Sequence, residues 1–83
     1  MLSTRLDSKN IYVQAAAFKD EVKARQMVDS LGRFGQAHIQ SALVNGQEWY
    51  RVRFGPMRDS QSADMLSTKL GDSGRANAIV IID

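Results

Sequence analysis

The sequence of 83 residues has no cysteine, a single proline and no apolar run near the ~20 residues that span a bilayer. Without cysteine, a disulfide scaffold and a zinc site built on thiolates are excluded. The first residues also lack the apolar segment of a signal peptide, so we expect any export signal to lie outside this chain. These absences leave one small domain that must be stabilised by a single hydrophobic core.

The chain also lacks a large excess of either basic or acidic residues. The chain carries 11 basic and 9 acidic residues, a net charge of +2, whereas proteins held to nucleic acid mainly by phosphate contacts are far more basic. We therefore expect no nucleic-acid partner, and we expect no membrane contact by this segment. With 43% hydrophobic and 24% charged residues, the composition is that of an ordinary globular domain. We assign residues 1–9 to a polar lead-in or linker and residues 10–83 to the domain.

Residues 48–56, EWYRVRFGP, are the most informative stretch. Side chains on a strand point alternately to its two faces, so this stretch divides into two sets. The apolar set is Tyr50, Val52 and Phe54, and the other set is Trp49, Arg51 and Arg53. Gly55-Pro56 ends the strand, because proline has no N–H to donate to a neighbouring strand. A tryptophan and two arginines opposite a core face are the first candidates for a functional site.

The pattern along the rest of the chain predicts two helices and three further strands. The first strand begins at residues 10–15 and closes at residues 18–20. The other two strands cover residues 36–44 and 76–82, and the helices cover residues 22–34 and 59–74. Asp20 is a suitable N-cap for the first helix, and Asp59 begins the second. Asn45-Gly46 predicts a tight hairpin into the third strand, because both residues tolerate positive φ.

The chain repeats itself with a shift of 39 positions. The shift pairs seven identical residues at caps, core positions and glycines: Val13/Val52, Asp20/Asp59, Ala24/Ala63, Leu31/Leu70, Gly32/Gly71, Gly35/Gly74 and Ala37/Ala76. Two copies of one β-α-β unit predict an α+β, ferredoxin-like β-α-β-β-α-β fold. Its four-stranded antiparallel sheet has the order 4-1-3-2, with both helices on one face.

The repeat also assigns the faces of the sheet, because the equivalent Val13 and Val52 must both point at the helices. The residues that alternate with them then lie on an open face without helices. On the first and third strands these are Tyr12, Gln14, Ala16, Trp49, Arg51 and Arg53; on the outer strands they are His38, Gln40, Asn77, Ile79 and Ile81. His38 has no cysteine or carboxylate cluster to join, so we expect no metal site, no catalytic triad and no cofactor.

Three segments together carry a family resemblance. IYVQAAAF at residues 11–18, the helix with Ala24 and Leu31, and YRVRFGP at residues 50–56 resemble the SPOR (sporulation-related repeat) family. The likeness covers roughly residues 10–82, and it implies a non-catalytic bacterial module that binds peptidoglycan glycan strands whose stem peptides have been removed. Such denuded strands are concentrated at the division septum, so the resemblance implies a periplasmic or cell-envelope location at the division site.

The resemblance also implies which residues bind the glycan. The family's glutamine matches Gln14, its third-strand Trp-x-Arg matches Trp49 and Arg51, and its last-strand isoleucine matches Ile79. Some members carry Gly-Ser where this chain has Ala16-Ala17, so a hydroxyl contact at Ala17 is absent. SPOR modules are often appended to amidases or lytic transglycosylases, so the parent protein could be a cell-wall hydrolase.

The side-chain chemistry agrees with a glycan ligand. The C–H face of a sugar packs on aromatic rings, which suits Trp49 and Tyr12, and the Gln14 amide both donates and accepts hydrogen bonds. A denuded N-acetylmuramic acid has a free lactyl carboxylate, which a guanidinium binds in bidentate fashion. We expect Arg51, with help from Arg53, to select for this carboxylate.

Other interpretations remain open at this point. Trp49 could be a lone surface aromatic, and Arg51 and Arg53 could be ordinary solvated edge charges. Ile79 and Ile81 could pack against an added element or a dimer partner, although we expect a monomer. An RNA-recognition-motif-like domain that binds single-stranded RNA shares the fold, but Arg51 stands where its second stacking ring belongs. An enzyme is not expected, because no phosphate-binding loop and no nucleophile with a base is evident.

Overall fold

The computed structural model describes residues 10–83, which form one sheet with two helices. The elements are β1 (Ile11–Phe18), α1 (Glu21–Ser30), β2 (Ala37–Val44), β3 (Gln47–Phe54), α2 (Ser60–Asp72) and β4 (Ile79–Ile82). All strand pairs are antiparallel and their order is β2-β3-β1-β4. Helix α1 packs on β1, β2 and β3, and α2 packs on β1 and β4. The predicted fold and the predicted strand order 4-1-3-2 are confirmed.

The core is built from equivalent positions of the two halves. Val13, Ala24 and Leu31 are completely buried in the first half, and so are Val52, Ala63 and Leu70 in the second. Each helix begins at an equivalent aspartate: Asp20 accepts from the Val22 N–H at 2.9 Å, and Asp59 accepts from the Ser62 N–H at 2.8 Å. The repeat therefore corresponds to two β-α units that bury equivalent residues in one core.

Helix α1 is shorter than predicted. It ends at Ser30, whereas the apolar pattern predicted a helix to Phe34. Leu31 leaves the helical conformation at φ −100° and ψ 9°, and a 3₁₀ turn follows over Gly32–Phe34. The buried Leu31 still lies on the apolar side, because its N–H donates to the Met27 carbonyl oxygen at 3.1 Å and so completes the last turn of α1. The pattern therefore identified the apolar positions but not the change of helix type.

Strand β1 ends at Phe18, where the predicted strand closes, and it contains a bulge that was not predicted. Gln14 pairs with Arg53 on β3, but the next pair is Ala16 with Val52, so Ala15 is an extra residue. Paired residues point to the same side of a sheet, so Ala16 faces the helices beside the buried Val52. The placement of Ala16 on the open face was therefore wrong, because simple alternation cannot anticipate a bulge.

Strand β4 begins at Ile79, three residues later than predicted. The Ser67 hydroxyl of α2 donates to the Ala78 carbonyl oxygen at 3.0 Å, so this carbonyl bonds to the helix instead of to a strand. The hairpin between β2 and β3 is as predicted: Asn45 and Gly46 both have positive φ, 51° and 79°. No helix within residues 10–83 is long and apolar enough to cross a membrane.

Candidate binding site on the open sheet face

The strand register arranges the open face in rows that run across the sheet. The central row crosses all four strands, in the order His38, Arg53, Gln14 and Ile79. The next row contains Gln40, Arg51 and Ala17, and the one beyond it contains Ala42 and Trp49. On the other side of the central row, Tyr12 pairs with Ile81. All six predicted site residues therefore lie on one face, on adjacent strands.

Arg53 is the most buried residue of this face, with 5% of its surface exposed. Its Nε donates to Gln14 Oε1 at 2.9 Å, and its Nη1 donates to Gln40 Oε1 at 2.9 Å and to Asp83 Oδ2 at 3.3 Å. The alternative of a solvated surface charge is therefore wrong for Arg53. A direct glycan contact by Arg53 stays a prediction.

Tyr12 lies across β3 and covers this guanidinium. The Cζ atom of Arg53 is 5.4 Å from the centroid of the Tyr12 ring, and the ring meets His38 edge-on at 6.3 Å between centroids. Gly55 makes room for it, because a Cβ at this position would lie 3.0 Å from Tyr12 Cδ1 and 2.9 Å from the Ile11 carbonyl oxygen. Tyr12, His38 and Gly55 thus enclose one end of the central row.

Trp49 and Arg51 lie at the other end of the face and are both partly exposed. Lys19 Nζ is 5.4 Å from the centroid of the indole ring, which places a cation over an aromatic surface. Within residues 10–83, no hydrogen bond or ion pair engages the Arg51 side chain. This end of the face therefore presents an aromatic ring next to two cations, Arg51 and Lys19.

Ile79 continues the face beyond Gln14, and 53% of it is exposed. Its neighbour Ile81, also on this face, is only partly exposed beside Tyr12. Ile82 pairs with Ile11 on the helix side of the sheet. It is nevertheless 60% exposed, because it lies at the end of an edge strand. The apolar flank of the open face is therefore Ile79 and Ile81.

Three contributors were not among the predicted site residues: Lys19, Gln40 and Asp83. Gln40 was predicted to lie on the open face but without a role. Lys19 was predicted only to close the first strand; it follows the last residue of β1, and its Nζ lies over the Trp49 ring. Asp83 is held next to the sheet by paired backbone hydrogen bonds with Asn10, of 3.3 and 2.9 Å. No local sequence signal links any of them to Arg53 or Trp49.

The described residues also include a tyrosine with a raised pKa and a cleft on the helix side of the sheet. Within residues 10–83, no group of three or more His, Cys, Asp or Glu side chains could hold a metal ion. On the helix side, Glu48, partial burial, Glu21 and Asp20 together raise the pKa of Tyr50 above its ordinary value. A cleft of about 500 Å³ beside Tyr50, between α1 and β2, shares only His38 with the open face.

Comparisons with known proteins agree with this geometry. The family model described as SPOR domain matches residues 7–82. The crystal structure of the RlpA SPOR domain from Pseudomonas aeruginosa is similar, with a TM-score of 0.77, 20% identity, and coverage of 86% of this chain and 96% of that chain. The solution structure of the peptidoglycan-binding domain of the B. subtilis cell wall lytic enzyme CwlC has a TM-score of 0.68 and 28% identity, covering 89% and 90%. No curated protein matches the chain.

Proposed function

Because this chain belongs to the SPOR domain family, we propose that it is a non-catalytic module that binds peptidoglycan through its open sheet face. Its ligand is the glycan strand from which stem peptides have been removed. A structural neighbour with 28% identity is a peptidoglycan-binding domain of a cell wall lytic enzyme, which supports this ligand class. The observation that carries the proposal is the partly exposed Trp49 and Arg51, side by side with Gln14 and Ile79 on an uncovered sheet.

Trp49 supplies the stacking surface for a sugar ring. An indole offers a large apolar face, and the C–H groups on one side of a pyranose match it. Lys19 lies over the ring in the free chain, so the sugar takes the opposite side of the indole or displaces a flexible lysine. The exposed Ile79 extends the apolar contact on the other side of Gln14.

Arg51 supplies selectivity for the denuded state. Removing the stem peptide from N-acetylmuramic acid converts an amide into a free lactyl carboxylate, which a guanidinium binds through two parallel hydrogen bonds. Arg51 is suited to this role because it is partly exposed and has no side-chain partner within the described part of the chain. A bulky peptide at the same position would also hinder a flat sheet from approaching the strand.

The module would direct its parent protein to the places where denuded glycan accumulates. We propose the cell envelope as its location and the division septum as the site where it concentrates. The parent protein could be an amidase or a lytic transglycosylase, since such modules are often joined to cell-wall hydrolases. The module itself contributes binding only.

Co-sedimentation with purified sacculi tests this function. One sample of sacculi is treated with an amidase that removes stem peptides, and a matched sample is left untreated. We expect the chain to sediment with the treated sacculi and to remain largely in solution with the untreated ones. Equal binding to both would contradict the proposed selectivity, and binding to neither would contradict peptidoglycan binding.

A further inference from the structure

The hydrogen bonds of Arg53 fix which way two glutamine amides point. A guanidinium has N–H donors and no acceptor, so whatever faces it must be an acceptor. Both Gln14 and Gln40 face it at 2.9 Å, and therefore both present their oxygen atoms to Arg53. Their nitrogen atoms consequently point away from the guanidinium.

This orientation propagates to His38. Gln40 Nε2 lies 3.2 Å from His38 Nε2, and because the amide nitrogen can only donate, this ring nitrogen must accept. The His38 proton is then on Nδ1. The Gln40 amide is thus engaged through its oxygen by Arg53 and through its nitrogen by His38.

Gln14 differs from Gln40 in whether its side-chain nitrogen has a hydrogen-bond partner. Its oxygen accepts from Arg53 Nε, while no partner within residues 10–83 engages its nitrogen. Two N–H donors therefore remain for a ligand on the central row, between Arg53 on one side and Ile79 on the other, with Arg51 in the next row. A free glutamine would offer its oxygen and its nitrogen about equally, so the donor character comes from Arg53.

We propose that Arg53 is a positioning residue that makes the centre of the binding face a hydrogen-bond donor. It turns the Gln14 amide so that only N–H groups face the ligand, and the ligand group recognised there is an acceptor oxygen, such as an acetamido carbonyl or a carboxylate. The assignment of this ligand group rests on the proposed glycan-binding function; the orientation of the amides does not.

The energetics of burial explain why such a network persists. A buried guanidinium is costly unless its donors are satisfied. Gln14, Gln40 and Asp83 together accept from Arg53, and the Tyr12 ring covers its face. Rotating the Gln14 amide would place N–H against N–H and leave a buried charge with one acceptor fewer. The ligand-free face is therefore held in a single donor arrangement.

The substitution Gln14→Glu separates donor presentation from structural support. A glutamate keeps an acceptor for Arg53 Nε, so the fold and its thermal stability should be retained, but the two N–H donors are lost. We expect affinity for peptide-free glycan to fall about tenfold or more, as for an unsatisfied buried polar group. Repulsion between the introduced carboxylate and a ligand carboxylate weakens with salt, although the Debye length at 1 M is still ~3 Å. A loss relative to the unsubstituted chain that is the same at low salt and at about 1 M salt is therefore due to the missing donors.

The substitution Arg53→Met removes the donors that orient the amides while keeping a side chain of similar length. We expect the NMR resonances of the Gln14 side-chain amide to move towards the chemical shifts of a solvent-exposed glutamine. The imidazole of His38 should no longer favour the tautomer with its proton on Nδ1. Glycan affinity should fall severalfold, although this variant retains Trp49. If this variant fails to fold, Gln14→Glu still tests donor presentation, and the side-chain amide and His38 spectra of the unsubstituted chain test the orientation by Arg53.

The outcomes distinguish the proposal from the function on which it rests. If the unsubstituted chain does not bind glycan, the proposed function fails, while the amide and tautomer spectra still test the orientation by Arg53. If the unsubstituted chain binds and Gln14→Glu binds equally well, donor presentation is overturned. Unchanged amide and His38 spectra in Arg53→Met would overturn the positioning role.

Discussion

Gln14 and Arg53 share a 2.9 Å hydrogen bond and are separated by 39 residues, the same spacing that relates the two halves of the chain. They are also direct partners in the β1–β3 ladder, so the approximate two-fold axis of the repeat passes through this pair. The halves thus meet at the centre of the open face with different residues, an amide and a guanidinium. The candidate binding surface lies where the two halves of the repeat carry different residues, whereas the core lies where they carry the same ones.

Replacing Trp49 by alanine should strongly weaken glycan binding. Loss of a stacking aromatic costs ~1–3 kcal/mol on comparable platforms, and the partly exposed indole contributes little to the core. Isothermal titration calorimetry measures the affinity and circular dichroism checks the fold. Val22→Ala is a matched control, since Val22 is 60% exposed on α1, on the covered side of the sheet; an equal loss in both variants would contradict the role of Trp49.

Replacing Arg51 by glutamine should abolish the preference for denuded glycan. We expect affinity for peptide-free strands to fall by ~1.5–3 kcal/mol, the worth of a hydrogen bond to a charged group. Affinity for strands whose lactyl carboxylate is still amide-linked should hardly change. Arg25→Gln removes the same charge from an exposed position on α1 and should leave the preference intact; a preference that survives in Arg51→Gln would refute carboxylate selection by this residue.

The repeat predicts that equivalent core positions are about equally sensitive. Leu31→Ala and Leu70→Ala each remove a completely buried side chain and should each cost ~2–5 kcal/mol of the free energy of unfolding. Urea denaturation measures the change. Leu43, which is 73% exposed, is the control, and its replacement by alanine should change stability by less than ~0.5 kcal/mol. A small effect at only one of the two buried leucines would show that the halves do not share the core equally.

Asp59 should make the stability of the domain depend on acid pH. The Ser62 backbone N–H, the Ser62 side chain and Arg58 lower the pKa of Asp59 from its ordinary value of 3.8. A lowered pKa in the folded state contributes stability above the ordinary value, and this contribution is lost as pH falls through the folded-state pKa. An asparagine at this position would cap the helix equally well but would not titrate.

Thermal unfolding between about pH 5 and pH 2 compares the parent with Asp59→Asn. The melting temperature of the parent should fall more steeply with decreasing pH than that of the variant. Asp64→Asn is a control for loss of an exposed carboxylate on the same helix. Parallel curves for the parent and Asp59→Asn would contradict the account of the cap.

Much of the fold was predictable because its determinants are local or periodic. The two aspartate caps, the Asn45-Gly46 hairpin and the repeat specified the order of elements and the sheet. The bulge at Ala15 and the bond from Ser67 to Ala78 were not predictable, because they depend on how strands and helices meet in three dimensions. They changed the face on which Ala16 lies and the start of β4 without altering the fold.

The candidate site was predictable as a set of residues but not as an arrangement. Alternation placed Gln14, Trp49 and Arg51 on one face, and the register agrees. Nothing local in the sequence shows that Arg53 is buried, since its partners Gln40 and Asp83 are 13 and 30 residues away. An arginine on an uncovered sheet is ordinarily solvated, and only tertiary structure shows that neighbouring side chains cover this one.

The central claim, that the open face binds denuded glycan, is tested most directly by the fluorescence of Trp49, the single tryptophan in the sequence. The chain is titrated with glycan oligomers that carry free lactyl carboxylates and, separately, with oligomers of equal length that retain their stem peptides. The account predicts a saturable change in emission with the peptide-free oligomers and an affinity weaker by about tenfold or more with the others. No change in emission, or equal affinity for the two ligands, would contradict it.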